Sequence, residues 1–246
     1  RTTDGGSTWG VTAYPTPRAS NAGSKEILDV KAERVPAPEA TATGFYMMSG
    51  FMPTITGEGS IYCTTDGTVP TEESIPAEEL PAFNGTTILR MRAFKEGKLP
   101  SSVVTCTYVQ HKYNHTLPVL MVTAAPDDIY SDEKGIFVTG TNGVSGSGVN
   151  HECNWNREWD RSANMQLLSK DGENLFQQDV NIARFGGWSR SWVPYNFKLK
   201  AQKQYEGNNY LEYPFFKDNK PYLKRKVLQV RNGGNDIYCR IKDAYD

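Results

Sequence analysis

Between residues 39 and 110, apolar and polar positions alternate in short runs cut by turn residues. The run 51–56 precedes Gly57-Glu58-Gly59, and the β-branched and aromatic run 60–65 ends at Asp66-Gly67. After Asn84-Gly85, the run 86–94 puts Ile88, Arg90 and Arg92 on one side and Leu89, Met91 and Ala93 on the other. Gly97 and Pro100 mark a further turn before the run 102–109. A period of two with evenly spaced turns predicts strands, and the series predicts a small immunoglobulin- or fibronectin-like β-sandwich over 39–113.

A polar joint at 111–116 precedes a second block over 114–246. Residues 117–122 read as a buried strand, and Pro126-Asp127-Asp128 as a helix start rather than a catalytic pair. The Gly/Ser/Asn-rich stretch 139–150 reads as a mobile loop. Three alternating strands follow, with Ala163, Met165 and Leu167 on one face of the first and Val180 and Ile182 on one face of the second. Phe197, Leu199 and Ala201 share a face of the third, with Lys198 and Lys200 opposite. Asp171-Gly172 is the hairpin turn between the first two, 227–230 is a fourth strand, and 237–246 begins a helix. The whole reads as mainly β, with an α+β second module built on an antiparallel sheet. Pro15, Pro17, Pro36 and Pro38 make 1–38 a leader and linker.

Charged residues are 22% and aromatics 11%, a globular balance that excludes a disordered chain. Net charge is -1, so the basic excess of a dedicated nucleic-acid binder is missing. No apolar stretch is long enough to span a membrane as a helix. Cys63, Cys106, Cys153 and Cys239 form no CxxC pair, which excludes a zinc ribbon; they read as buried thiols, with a Cys63–Cys106 disulfide as the alternative. His111, His115 and His151 have no zincin spacing, and no metal site is expected.

Three stretches carry candidate chemistry. In Gly186-Gly187-Trp188-Ser189-Arg190, two glycines allow close backbone approach, Ser189 adds a hydroxyl and Arg190 a fork for phosphate oxygens. The plain reading is a glycine hairpin with a solvated arginine. In Arg231-Asn232-Gly233-Gly234-Asn235-Asp236, the polar residues either line a site at a strand end or cap a following helix. In 154–161, Trp155 and Trp159 either anchor a loop on the core or join Trp188 and Trp192 in a sugar platform.

Two resemblances organise these stretches. Gly44-Phe45-Tyr46, the run from Ile61 to Thr71 with its TTDG-x-x-P-T core, Thr87 to Phe94 and Leu99-Pro100-Ser101 resemble the chitobiase C-terminal-like, fibronectin type III-associated β-sandwich. Residues 117–246 resemble the N-terminal part of the spore-coat protein H (CotH) kinase family. The carriers are Leu117-Pro118-Val119-Leu120, the N-W-x-R-E-W-x-R of 154–161, Gln178-Asp179-Val180, the 186–190 turn and the 231–236 run. That resemblance implies an exported, extracellular or cell-surface bacterial protein of atypical kinase type. It implies ATP and Mg²⁺ as cofactors of the full-length family, an unidentified protein substrate, and phosphate contacts from Gly186, Gly187, Ser189, Arg190, Arg231, Asn232, Asn235 and Asp236. The family's catalytic and metal-binding carboxylates are expected beyond Asp246, so this chain is expected to be inactive alone and to hold no cofactor. The family lysine falls on Tyr195, and a phenol supplies no ammonium charge. A non-catalytic surface or carbohydrate-adhesion module, with a surface glycan as partner, is the alternative.

Overall fold

The structure is a computed structural model and describes residues 33–46, 49–110, 115–146, 148–205, 209–216 and 222–233. Its contacts divide the chain between residues 112 and 113 into two units, a division inside the joint at 111–116.

The first unit holds strands β1 (Glu39–Ala40), β2 (Gly44–Tyr46), β3 (Ile55–Thr56), β4 (Ser60–Thr64), β5 (Ile75–Pro76), β6 (Thr87–Phe94) and β7 (Val104–Gln110). Five of them form a sheet in the order β2-β7-β6-β4-β5, parallel only at β2–β7, and β1 pairs with β3 as a separate ribbon. β6 shows the alternation expected of it: Leu89, Met91 and Ala93 are buried. Arg90 and Arg92 point away, to the carbonyls of Gly67 and Ser101 at 2.9 Å each. At the β4 end, the Asp66 carboxylate accepts from the Thr68 amide and hydroxyl, and Gly67 takes the positive φ of 85° that the turn requires. The second layer of the expected sandwich is not a sheet of equal size. Short apolar segments around Phe51, Leu80 and Phe83 and the β1–β3 ribbon complete the core.

Tyr108 is the hub of that core. Its ring meets Phe51, Tyr46 and Phe83 at 5.1–5.7 Å, and its hydroxyl donates to the Thr41 carbonyl at 2.7 Å. Val35 is also buried and its amide bonds to the Leu99 carbonyl. Residues 33–38 therefore pack with this unit; the rest of the leader and linker expected over 1–38, residues 1–32, lies outside the described residues.

Cys63 and Cys106 are free, buried thiols, as is Cys153; Cys239 lies outside the described residues. Cys63 pairs with Met91 of β6, and Cys106 with Leu89 of the same strand, so β6 lies between them. Two strand spacings of about 4.8 Å exceed the ~7 Å limit for a disulfide. Burial pushes the Cys63 thiol from its ordinary 9 up to about 11, and raises Cys106, Tyr108 and Tyr46 as well. Between pH 9 and 11 the native state thus holds protons that the unfolded chain has lost, and stability falls as pH rises. Cys63 alone should remove about 2–3 kcal/mol over that window. Urea midpoints of the first unit should drop steadily from pH 8.5 to 11, and Cys63→Ala should flatten the slope. A slope unchanged by that substitution would contradict this account.

The second unit holds β8 (Val119–Ala124), α1 (Pro126–Tyr130), β9 (Asp160–Leu168), β10 (Asn174–Arg184), β11 (Phe197–Lys200), β12 (Leu211–Glu212), β13 (Lys224–Arg225) and β14 (Val227–Val230). Its sheet is fully antiparallel in the order β14-β11-β10-β9-β8, and β12 and β13 form a separate ribbon. Pro126 opens α1 at its first turn. One sheet face builds the core from Ala163, Met165, Val180, Ile182 and Leu199, joined by Ile129, Ile136 and Leu211. Leu117, expected in a buried strand, precedes β8 and is exposed. Leu168 is fully buried and Leu167 only half-buried; Leu168 is in phase with Asn164 and Gln166, on the face of β9 opposite Ala163 and Met165. Among the described residues α1 is the only α-helix. The α+β character expected of this module rests on 237–246, outside them.

The opposite sheet face departs from simple alternation. Thr123, Asn164, Gln166 and Asn181 are buried although they are polar. Asn164 and Asn181 are held by hydrogen bonds: Asn164 donates to Asp179, Asn181 donates to Asp160, and the Tyr205 hydroxyl bridges Ser162 and Asn181. Lys200 pairs with Asp160. The described part of the 139–150 loop is also more constrained than its composition predicts. Thr141 bonds to Asp132, Val144 to Glu152 and Asn154 back to Thr139. Its glycines permit close approach: a Cβ at Gly140 would lie 2.3 Å from the Asn154 side chain.

Candidate functional site

β10 carries Val180, Ile182 and Arg184 on the same face. The first two enter the core, and Arg184 ends the row with only 4% of its surface exposed. One Arg184 nitrogen, Nη1, donates to the Asn196 carbonyl at 2.7 Å. The guanidinium lies 4.5 Å from the Tyr195 ring centre and 5.1 Å from that of Phe137. Its Nε and Nη2 have no partner among the described residues. Burial pushes the guanidinium down to about 10; Tyr195 pulls it back up and Arg190 pushes it further down. It stays charged at neutral pH.

The chain then turns. Gly186 has φ of 106°, where an L side chain is strained, and Trp188–Ser191 forms a single 3-10 turn. Arg190 does not extend into solvent. Its Nε donates to the Gly186 carbonyl at 2.9 Å and its Nη1 to the Trp155 carbonyl at 3.4 Å. The solvated-arginine reading of this hairpin is therefore corrected: Arg190 braces the turn against the Asn154–Asn156 segment.

Asn196 is the node that joins these parts. Its Nδ2 donates to the Ser189 Oγ at 3.0 Å, and its Oδ1 accepts from the Asn232 amide at 2.7 Å. The Asn232 side chain donates to the Ser189 carbonyl at 3.3 Å. The stretches around 186–190, 231–232 and 154–156, widely separated in sequence, thus meet at one end of the sheet. Gly187 is exposed, Ser189 and Arg190 are half-buried, Asn232 is buried and Arg231 is exposed. Asn235 and Asp236 lie outside the described residues. Among the described residues, no group of three or more His, Cys, Asp or Glu side chains could hold a metal ion.

The tryptophans do not form a platform. Trp155 is buried inside the unit, which leaves no face for a sugar. Trp159 packs on the core, with Arg157 and Arg161 over its ring at 5.2 and 4.7 Å. Trp188 is 72% exposed and Trp192 is half-buried. Anchoring is the reading that fits Trp155 and Trp159.

Sequence reasoning missed Arg184, Asn196 and Phe137. The signal for Arg184 was available, because it is in phase with Val180 and Ile182. Asn196 gave none, since an asparagine after a proline reads as an ordinary turn residue. Lys198, in register with Ala183, lies on the sheet face opposite Phe197 and Leu199.

No helix among the described residues is long and apolar enough to cross a membrane. No curated protein and no solved structure matches the chain. Residues 49–105 match the model of the chitobiase/beta-hexosaminidase C-terminal domain family, so a domain of that kind is present in the first unit.

Proposed function

We propose that the second unit is the phosphate-gripping first lobe of a CotH-type kinase-like domain, carried by an exported chain behind its chitobiase-type β-module. One observation carries the reading: three separated stretches of the resemblance, at 154–156, 186–190 and 231–232, are drawn together by Arg190 and Asn196. Gly186, Gly187 and Ser189 offer backbone amides and a hydroxyl, and Arg190 and Arg184 offer charge. In the family the bound nucleotide would supply the phosphoryl group and Mg²⁺ would neutralise it. No group of His, Cys, Asp or Glu side chains among the described residues assembles a metal site. What this lobe does is position and hold an anion.

Tyr195 weakens that grip where the family has a lysine. Calorimetry with Mg-ATP should therefore show binding weaker than micromolar for this chain and at least tenfold tighter binding for Tyr195→Lys. Micromolar binding by the unchanged chain would remove the role given to Tyr195; no gain from Tyr195→Lys would remove the lobe assignment. The second reading, a surface or carbohydrate-adhesion module, is favoured by the family match at 49–105 and by the exposed Trp188. It gains if neither chain binds Mg-ATP and the unchanged chain is retained by an insoluble polysaccharide.

A further inference from the structure

A buried guanidinium without a carboxylate is costly for a fold to keep. Arg184 is such a group. Among the described residues neither Arg184 nor Arg190 forms an ion pair. After burial and Tyr195, Arg190 acts on it as a second cation and disfavours its charge. Its single hydrogen bond uses Nη1, on the Asn196 carbonyl.

The two empty donors are Nε and Nη2. They share one edge of the guanidinium plane, the edge that meets an oxyanion with two parallel hydrogen bonds. The rings over the guanidinium, Phe137 and Tyr195, are half-buried, and an anion reaches the buried edge only when one of them rotates aside. Asn196 links the Arg184 guanidinium, held through Nη1, to the Ser189 hydroxyl, and Arg190 brings a second positive charge. Two guanidiniums, a hydroxyl and a glycine turn suit a doubly charged tetrahedral anion better than a single carboxylate.

We propose that the Nε/Nη2 edge of Arg184 is the principal seat of a phosphoryl oxyanion, with the 186–189 turn as its rim. This deepens the phosphate-binding reading above and rests on it. It assigns the leading role to a residue outside the turn. Arg190, whose Nε and Nη1 are committed to carbonyls, is then a brace and a source of positive potential.

The test is calorimetry at low salt with inorganic phosphate, pyrophosphate and metal-free ATP on the full chain. It compares the unchanged protein with Arg184→Met, Arg184→Lys and Ser189→Ala, with melting curves recorded for each. Pyrophosphate should bind the unchanged chain in the millimolar range or tighter. Arg184→Met should weaken it at least tenfold. Arg184→Lys should fall in between, because it keeps the charge and loses the two-donor edge. If Arg184→Met fails to fold, Arg184→Lys decides, and binding as tight as in the unchanged chain overturns the proposal. Equal binding by a folded Arg184→Met also overturns it. Loss on Ser189→Ala alone, with both Arg184 variants unaffected, leaves the turn reading standing and removes the seat. A chain that binds neither phosphate nor pyrophosphate overturns the seat, while the lobe assignment is judged separately by Mg-ATP and Tyr195→Lys. Tighter binding of ATP than of pyrophosphate identifies the source as a nucleotide, and the reverse identifies a free anion.

Discussion

Asn196→Ala should destabilise the second unit by about 3 kcal/mol, a large fraction of a domain's net stability. Asn196 is 4% exposed, and its side chain serves the buried Asn232 and the half-buried Ser189. Alanine removes the Oδ1 that accepts from the Asn232 amide at 2.7 Å, and leaves that buried N–H unpaired. An unmet buried donor costs about 1–3 kcal/mol, more than the net worth of an average hydrogen bond. Alanine also removes the bond to Ser189 Oγ, worth about 1 kcal/mol. Ser189→Ala is the internal comparison, because it takes away only that last contact and should cost about 1 kcal/mol. Urea unfolding followed by tryptophan fluorescence reads both, since Trp155, Trp188 and Trp192 border the turn. Equal losses for the two variants would mean that Asn196 is not the node. Asn196→Ala should also weaken pyrophosphate binding, since the same side chain holds the Ser189 hydroxyl.

Much of the first unit was legible because its physics is local. Leu89, Met91 and Ala93 alternate with Arg90 and Arg92, and one buried face follows from that period alone. Asp66-Gly67 specifies its turn through a side-chain acceptor and a positive φ. The uneven second layer was not legible, because short segments around Phe51, Leu80 and Phe83 have no period to read.

In the second unit the strands were visible and the buried polar side was not. Alternation predicts that Asn164, Gln166 and Asn181 face water, and nothing local reports that further structure covers them. Arg184 was hidden by residue type. A charged residue at a strand end reads as solvated, although its phase with Val180 and Ile182 points it inward. The site stretches at 154–156, 186–190 and 231–232 were each visible in the sequence. Their meeting depends on Arg190 and Asn196, contacts between segments that no single stretch encodes.

The loop at 139–150 shows the same limit, and Gly140 tests it. Glycine-rich composition predicts slack, yet the loop's glycines differ in what surrounds them. Gly140 has φ of 85°, and a Cβ there would stand 2.3 Å from the Asn154 side chain. Asn154 cannot easily yield, because it is 6% exposed, donates to the Asp132 carbonyl at 2.9 Å, and has its own amide bound to Thr139. Gly140→Ala therefore combines left-handed backbone strain of about 1–2 kcal/mol with overpacking of about 1–3 kcal/mol. The expected loss is about 3–4 kcal/mol. Gly148 has φ of 91°, but a Cβ added there would meet nothing within 4 Å, so Gly148→Ala carries the strain alone, about 1–2 kcal/mol. Both losses are measurable by urea unfolding, and limited proteolysis adds a local readout. Gly140→Ala should speed cleavage within 139–146, because expelling Asn154 releases the Thr139 and Asp132 ties together. Equal losses at the two glycines would show that backbone strain alone sets the cost and that the close packing of Gly140 on Asn154 contributes nothing.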